Sequence, residues 1–447
     1  MFKKILIAGR GEIALRIIRA CRELGVQTVA IYSEADAASL PVRYADESVC
    51  VGPADSALSY LNVARIISAA EITHAEAIHP GYGFLAEQSH FAEICKSSEI
   101  KFIGPSSKSM ELIGNKINAR HLMQELNIPT VPGSDGEVDE KRALDVAEEI
   151  GYPVVIKAAA GGGGKGMRVV YSRDEMERAF RQAKAESGAA FGNDAVYVEK
   201  FLAYPRHIEV QILADEEGGV VHIGERDCSI QRRYQKVVEE SPAPVFDPTL
   251  RKTLAQAALK IVKKSGYVNA GTVEFLVDQS GAFYCIEMNA RIQVEHPVSE
   301  MVSGIDLIKE QIQIAAGHPL RFTQRQIKLQ GCSMECRINA EDPMTFVPSP
   351  GMITEFYMPG GPGVRVDSAY TDQSVISPYY DSLIAKLIVH APTRMEAIMK
   401  MRGALAECVV KGVNTTLPLH RQIFEDPDFV RGEYSTHFLE RFFPPLP

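Results

Sequence analysis

The sequence predicts a multidomain protein that begins as an α/β domain and continues as α+β modules. Three observations carry this prediction. Strand and helix patterns alternate through the first hundred residues, as in a mostly parallel sheet. From Pro153 onward they give way to short strands around a glycine loop and then to hairpins. The length of 447 residues, at about 100–200 residues per domain, accommodates two to four such units.

In chain order, residues 3–9 are an apolar β-type run. Glu12 to Leu24 has helical spacing through Ile13, Leu15, Ile17, Ile18, Cys21 and Leu24, and Thr28 to Tyr32 reads as a second strand. A helix near Tyr60–Ala70 leads to a short strand before His79-Pro80-Gly81. The stretch from Gly104 to about Gly133 is a helical linker ending in Pro129, Pro132 and Gly133. Short strands at Val154–Lys157, Arg168–Tyr171 and Ala195–Phe201 frame the glycine loop and a helix. Residues 207–289 read as strands interrupted by a helix at 249–265. Helices follow at 304–317 and near 393–408, with strands and turns after Cys332. No internal repeat is visible.

Gly (34) and Pro (25) are near average usage, so collagen-like and low-complexity classes are excluded. A net charge of −9 argues against a nucleic-acid partner, and no apolar run is long enough for a membrane span. The apolar start breaks at Gly9-Arg10, too early for a signal peptide. Eight scattered cysteines without a C-x-x-C pair read as reduced thiols of a cytoplasmic protein.

Gly9-Arg10-Gly11-Glu12-Ile13-Ala14 fits G-x-G-x-x-A between a strand and a helix. Glu34 and Asp36 stand where a ribose-binding carboxylate would lie. The motif fits a dinucleotide site, or a tight βα turn in a Rossmann-like domain that binds none. Gly161-Gly162-Gly163-Gly164-Lys165-Gly166 is not a P-loop, since Gly166 replaces the Ser/Thr. A strand on each side suggests a hairpin flap over phosphates. Lys157 ends an otherwise apolar strand, where a lysine is costly to bury without an anionic partner.

The third constellation flanks the turn at Gln279-Ser280-Gly281-Ala282. A symmetric register places Glu274 directly opposite Glu287, which destabilises unless a cation lies between them. Asn289, two residues on, shares that face. Oxygen ligands without Cys or His suit Mg²⁺ or Mn²⁺. If the segment stays extended, Glu287, Asn289, Arg291, Gln293 and Glu295 all line one face, with Arg291 able to hold an anion and Glu295 to act as a general base. Arg206 to Gln211 alternates as a half-exposed strand, on which His207 alone reads as structural. Met399-Lys400-Met401 matches a biotin-carrying tripeptide but lies in a helical pattern, which favours an ordinary surface lysine.

Together these residues resemble the biotin carboxylase family of the ATP-grasp superfamily. The resemblance rests on RGEIALRIIRAC, HPGYGFLAE, GGGGKGMRVV, ERDCSIQRRYQKVVEESPAP, EFLVD with FYCIEMNARIQVEHPVSEM, and ECRINAEDP, and it runs almost the whole chain. It implies a Rossmann-like N-terminal domain at 1–113 that binds no NAD, and a two-lobed ATP-grasp domain at 114–320. The latter would carry a mobile glycine-rich lid lobe at about 133–201, and a mixed C-terminal domain would follow at 333–441.

The resemblance also assigns residues. Lys116 and Lys157 would contact ATP phosphates, under a lid carrying Gly163 and Gly164. Glu199, Lys200, Phe201, Leu202, His207, Gln231, Tyr234 and Leu276 would line the nucleotide site. Glu274, Glu287 and Asn289 would hold two Mg²⁺ or Mn²⁺ ions. Lys236, Arg291, Gln293, Val294 and Glu295 would bind bicarbonate, with Glu295 as the base, and Arg337 would bind biotin and stabilise its ureido oxyanion. The chain departs from the family pattern at Gly9 (usually Asn), Ala86 (often Ser), Ala290 (often Thr) and Tyr234 (often His near the ribose).

The implied activity is ATP- and bicarbonate-dependent carboxylation of biotin through carboxyphosphate. The length leaves no room for a biotinyl or carboxyltransferase domain, so the expected partners are a separate biotin carboxyl carrier protein and carboxyltransferase subunits. The expected setting is acetyl-CoA carboxylase in fatty acid synthesis, and the expected assembly a homodimer. Alternatives are the same half-reaction in a split pyruvate or acyl-CoA carboxylase, an NAD-dependent oxidoreductase using Gly9–Ala14, and a non-catalytic ATP-binding relative.

Overall fold

A computed structural model describes residues 1–159 and 167–443, without the side chains of residues 116, 190 and 191. The first unit is a five-stranded parallel sheet. Its spatial order is Glu47–Gly52, Gln27–Ser33, Lys4–Ile7, Ala77–His79 and Lys101–Phe102. The central strand is apolar on both faces because helices such as Gly11–Glu23 cover the sheet.

The second unit is an eight-stranded sheet, ordered Phe283–Asn289, Asn269–Val277, Arg206–Ala214, Val220–Arg232, Gln235–Ser241, Cys332–Asn339, Leu383–Ala391 and Val364–Ser368. It does not stop at the expected module boundary. Gln235–Ser241 pairs antiparallel with Cys332–Asn339, Glu239 opposite Glu335, so one sheet runs from the central into the C-terminal region.

The expectation of a half-exposed strand at Arg206 to Gln211 is overturned. Arg206–Ala214 has a neighbour on each side, and all but its first residue are buried. Its polar residues are satisfied inside. Glu209 and Gln211 both accept from Arg226, which also bonds Ser299 and Thr272. The helix Pro248–Ser265 backs this sheet. Asp247 caps its start by accepting from the Thr249 N–H, and Pro248 stands in its first turn. Gly266, at φ +60, closes its end in the left-handed region.

A small lobe lies apart. Val154–Ala158 pairs antiparallel with Arg168–Val170 and Val196–Lys200, and the helices Glu140–Ile150 and Arg173–Phe191 pack on it. It has a core of its own around Val146, Ile156, Phe180 and Val198. Gly133 joins it to the rest, where its backbone runs against Val198 and Glu199 so closely that a Cβ would collide with the Val198 carbonyl.

Candidate active site

Sixteen of the expected site residues, scattered from 157 to 337 in the chain, meet on one cavity of about 1410 Å³. They are Lys157, Lys200, Phe201, Leu202, His207, Gln231, Tyr234, Lys236, Glu274, Leu276, Glu287, Asn289, Arg291, Gln293, Val294 and Arg337. Pockets for single small ligands are about 300–1,000 Å³, so this one has room for a nucleotide and a second substrate. Glu199 stands behind Lys157, its Oε2 accepting from Nζ at 2.6 Å and its Oε1 facing Arg120 at 3.4 Å. Burial opposes the Lys157 charge, and Glu199 more than restores it. Gly163, Gly164 and Lys165 lie outside the described residues, as does the side chain of Lys116.

The carboxylate hairpin forms with Glu274 opposite Glu287, as the symmetric register predicts. Toward the turn the register shifts by one, Phe275 facing Cys285, which makes Ile286 the extra residue of a bulge. Ile286 and Glu287 then both face the cavity. Glu274 is densely held. Its Oε1 accepts from Lys236 Nζ at 2.9 Å and Asn289 Nδ2 at 3.0 Å, and its Oε2 lies 3.0 Å from His207 Nε2. Burial would raise its pKa, but Lys236 and His207 hold it far below the usual carboxylate range. Two facing carboxylates with an amide oxygen beside them are hard donors, and the set fits a divalent ion of the Mg²⁺ or Mn²⁺ type.

Lys236 is the hub. Its three donors find three acceptors, Glu209 Oε2 at 2.6 Å, Glu274 Oε1 at 2.9 Å and Glu295 Oε1 at 2.6 Å. Glu295 is fully buried behind the cavity wall, and its Oε2 accepts from Arg337 at 2.9 Å. Burial opposes its ionisation, but Lys236, Arg337 and Arg226 outweigh burial and keep it ionised. Arg337 is tied in turn through Nε to Glu239 Oε1 at 2.5 Å.

The extended alternation expected from Glu287 to Glu295 holds only as far as Asn289. There Glu87 ends the strand, one oxygen accepting from the Ala290 N–H at 3.0 Å and the other from Arg291 Nε at 2.9 Å. The chain then turns, and Glu295 becomes the residue preceding the helix His296–Ser303, whose Pro297 cannot continue a strand ladder. Arg291, Gln293 and Val294 reach the cavity from this turn instead.

Three family models match in succession. The biotin carboxylase N-terminal domain matches residues 1–110, the ATP-binding domain of the carbamoyl-phosphate synthase L chain 115–323, and the biotin carboxylase C-terminal domain 335–441. A Nostoc protein named biotin carboxylase is 57% identical over 442 residues, covering 98% of this chain and 99% of its own length. The chain belongs to the biotin carboxylase family. It therefore carries the fold of an ATP-dependent ligase of the ATP-grasp type.

Two solved biotin carboxylases superimpose closely. The Campylobacter jejuni protein, solved as a β,γ-ATP complex, is 51% identical with a TM-score of 0.97, covering 99% of each chain. The biotin carboxylase domain of Hydrogenobacter thermophilus 2-oxoglutarate carboxylase is 51% identical with a TM-score of 0.96, covering 99% of this chain and 98% of its own. It was solved as a dimer with MgADP, ADP and bicarbonate.

Arg10, Gly11 and Glu12 of the first loop line the same cavity. Asp36 is not available to a ribose, because Arg10 grips both its oxygens at 2.8 and 2.9 Å and the Tyr60 hydroxyl donates to it at 2.6 Å. Tyr380, from the C-terminal region, lies under the Arg10 guanidinium at 4.3 Å. Of the four departures from the family pattern, Tyr234 alone lines the cavity, exposed on a two-residue turn where Arg233 and Tyr234 both have positive φ. Lys400 sits in the helix Arg394–Glu407 and donates to the carbonyls of Pro362 and His390, as an ordinary helix lysine.

Residue reasoning missed Glu87, Glu209, Glu239 and Arg226. Glu87, Arg226 and Glu239 fall within the quoted motif runs, whereas Glu209 stood on the strand read as half-exposed. Their partners lie 15 to 204 positions away, a separation at which no periodicity speaks.

Proposed function

We propose that the protein carboxylates biotin on a biotin carboxyl carrier protein, using ATP and bicarbonate, as the first half-reaction of acetyl-CoA carboxylase in fatty acid synthesis. The observation that carries this reading is Glu295, a fully buried carboxylate held ionised between Lys236 and Arg337 and adjoining the Glu274–Glu287 pair.

Lys116 and Lys157 hold the ATP phosphates, beneath a lid that includes Gly163 and Gly164. Glu199 to Leu202, His207, Gln231, Tyr234 and Leu276 surround the nucleoside. Glu274, Glu287 and Asn289 hold two Mg²⁺ or Mn²⁺ ions, which supply charge neutralisation and alignment of the phosphates. Arg291, Gln293, Val294 and Lys236 bind bicarbonate beside Glu295. Each Glu295 oxygen keeps a lone pair beyond its present hydrogen bond, so the carboxylate can take the bicarbonate proton. The freed oxygen attacks the γ-phosphorus in line, ADP leaves, and carboxyphosphate forms. Its C–O bond then breaks to CO₂ and phosphate. The phosphate takes the N1′ proton of biotin, the ureido oxygen gains negative charge against Arg337, and N1′ attacks CO₂. Water must be excluded throughout, which a closing lid lobe provides.

We assign these tasks to units at 1–113, 114–320 and 333–441, in a cytoplasmic homodimer that works with separate carboxyltransferase subunits. The dimer and the bound ligands of the Hydrogenobacter relative support this reading. The same relative, a domain of 2-oxoglutarate carboxylase, favours as a second reading the same half-reaction in a carboxylase of another acceptor, such as a 2-oxo acid.

The test is ADP release. Turnover should depend on bicarbonate and rise with free biotin, and a folded protein that responds to neither overturns the proposal. Arg337→Ala should lose biotin-dependent turnover while retaining MgATP affinity, and equal loss of both removes its assigned role. Co-purification with carboxyltransferase subunits selects the acceptor.

A further inference from the structure

Lys386 is fully buried on the strand Leu383–Ala391, and none of the motifs read from the sequence includes it. Its Nζ donates to the Val294 carbonyl at 2.9 Å and lies 3.0 Å from Glu12 Oε1 and 3.9 Å from Asp367 Oδ2. The charged groups facing it are Glu12, Glu335 and Asp367, with Arg365 beyond Asp367. Burial disfavours its charge, and those carboxyls restore it. Glu12 stands in the first turn of Gly11–Glu23 and accepts from the Tyr82 hydroxyl.

The Val294 carbonyl belongs to the peptide unit that opens Glu295. The Glu295 side chain makes no capping bond to its own helix and is held instead by Lys236 and Arg337. Its hold on the C-terminal region comes from two adjacent strands. Arg337 and Lys386 face each other in the register of Cys332–Asn339 with Leu383–Ala391. Arg337 grips the carboxylate of Glu295, and Lys386 grips the main chain just before it. An apolar side chain would occupy this buried position at lower desolvation cost, but it could not hold a carbonyl.

We infer that Lys386 is a positioning residue for the proposed reaction: by holding the 294–295 peptide against the C-terminal sheet, it sets the direction in which Glu295 meets bicarbonate. The inference rests on the function proposed above. A base displaced by a fraction of an ångström abstracts a proton poorly while ATP binding is untouched, so the effect falls on turnover.

Lys386→Met alone would strand Glu12 as an unpaired buried charge, so the informative variant is the double substitution Glu12→Gln with Lys386→Met. The expected result is a folded protein with an unchanged MgATP dissociation constant and bicarbonate-dependent ADP formation lowered by about tenfold or more. Lys386→Arg, which keeps a charged donor, should recover part of that loss. A double variant whose turnover stays within about twofold of the unsubstituted protein overturns the inference. Parallel loss of MgATP binding in Lys386→Arg overturns it too, because it marks a merely structural role; this second variant decides if the double variant does not fold. If the unsubstituted protein itself shows no bicarbonate dependence, the proposed function fails instead, so the two failures are distinguishable.

Discussion

Lys236 has three N–H donors, and Glu209, Glu274 and Glu295 take all of them. A metal ion on Glu274 would therefore compete with an ammonium already bonded to the same Oε1, and Glu287, on the facing strand, would be its fellow ligand. Glu287→Gln should accordingly raise the Mg²⁺ concentration for half-maximal turnover, read by metal titration at fixed ATP. An unchanged midpoint removes Glu287 from the metal site. Behind Arg337, His420 is fully buried with Nε2 2.7 Å from the Arg337 carbonyl, and burial lowers its pKa from 6.5 to about 4. A ring kept neutral in the fold but free to protonate when unfolded contributes stability above pH 6.5. That contribution is lost as pH falls from 6.5 toward 4, by about 1.4 kcal/mol per pH unit. His420→Gln lacks this component, so its stability deficit should shrink as the pH is lowered through that window. Denaturant unfolding of both proteins at several pH values measures it, and a pH-independent deficit contradicts the assignment.

Arg226 shows what holds the elements of the site in place. Its fully buried guanidinium, on Val220–Arg232, bonds Glu209 and Gln211 on the neighbouring strand, Thr272 on the one beyond, and Ser299 on the helix His296–Ser303. One side chain thus fixes the helix that follows Glu295 against the strands that carry Glu209 and Glu274. Arg226→Met leaves Glu209 without its arginine in a buried setting, a change that costs about 3–5 kcal/mol. Urea unfolding should show that loss, and a cost below about 1 kcal/mol would mean that the neighbours repack. The Glu274–Glu287 hairpin was legible from the sequence because a two-residue period and a turn determine which side chains face each other. The bulge at Ile286 was not, because a symmetric register assumes equal residue counts on the two strands.

At the scale of the whole molecule the modules are less separate than their order along the chain suggests. The Rossmann-like sheet shares a core with the Arg206–Ala214 region, and Ile230, Val237 and Val238 belong to the C-terminal core. Among the described residues, only the lobe around residues 138–198 has a core composed wholly of its own residues. Its backbone amides should therefore exchange with deuterium faster than those of the eight-stranded sheet, and MgATP should slow them; equal protection in both would mean that the lobe opens only with the rest. Among the described residues no helix is long and apolar enough to cross a membrane. The chain of three modules and most of the cavity's residue types were readable from the sequence, since local period, turn residues and motif spacing are short-range properties. The tertiary structure alone decided that one sheet spans two modules, and that Glu87 and Lys386 reach Ala290, Arg291 and Val294. Those contacts join residues 92 to 204 positions apart, or strands that pair only after the chain has folded back, and no local pattern encodes them.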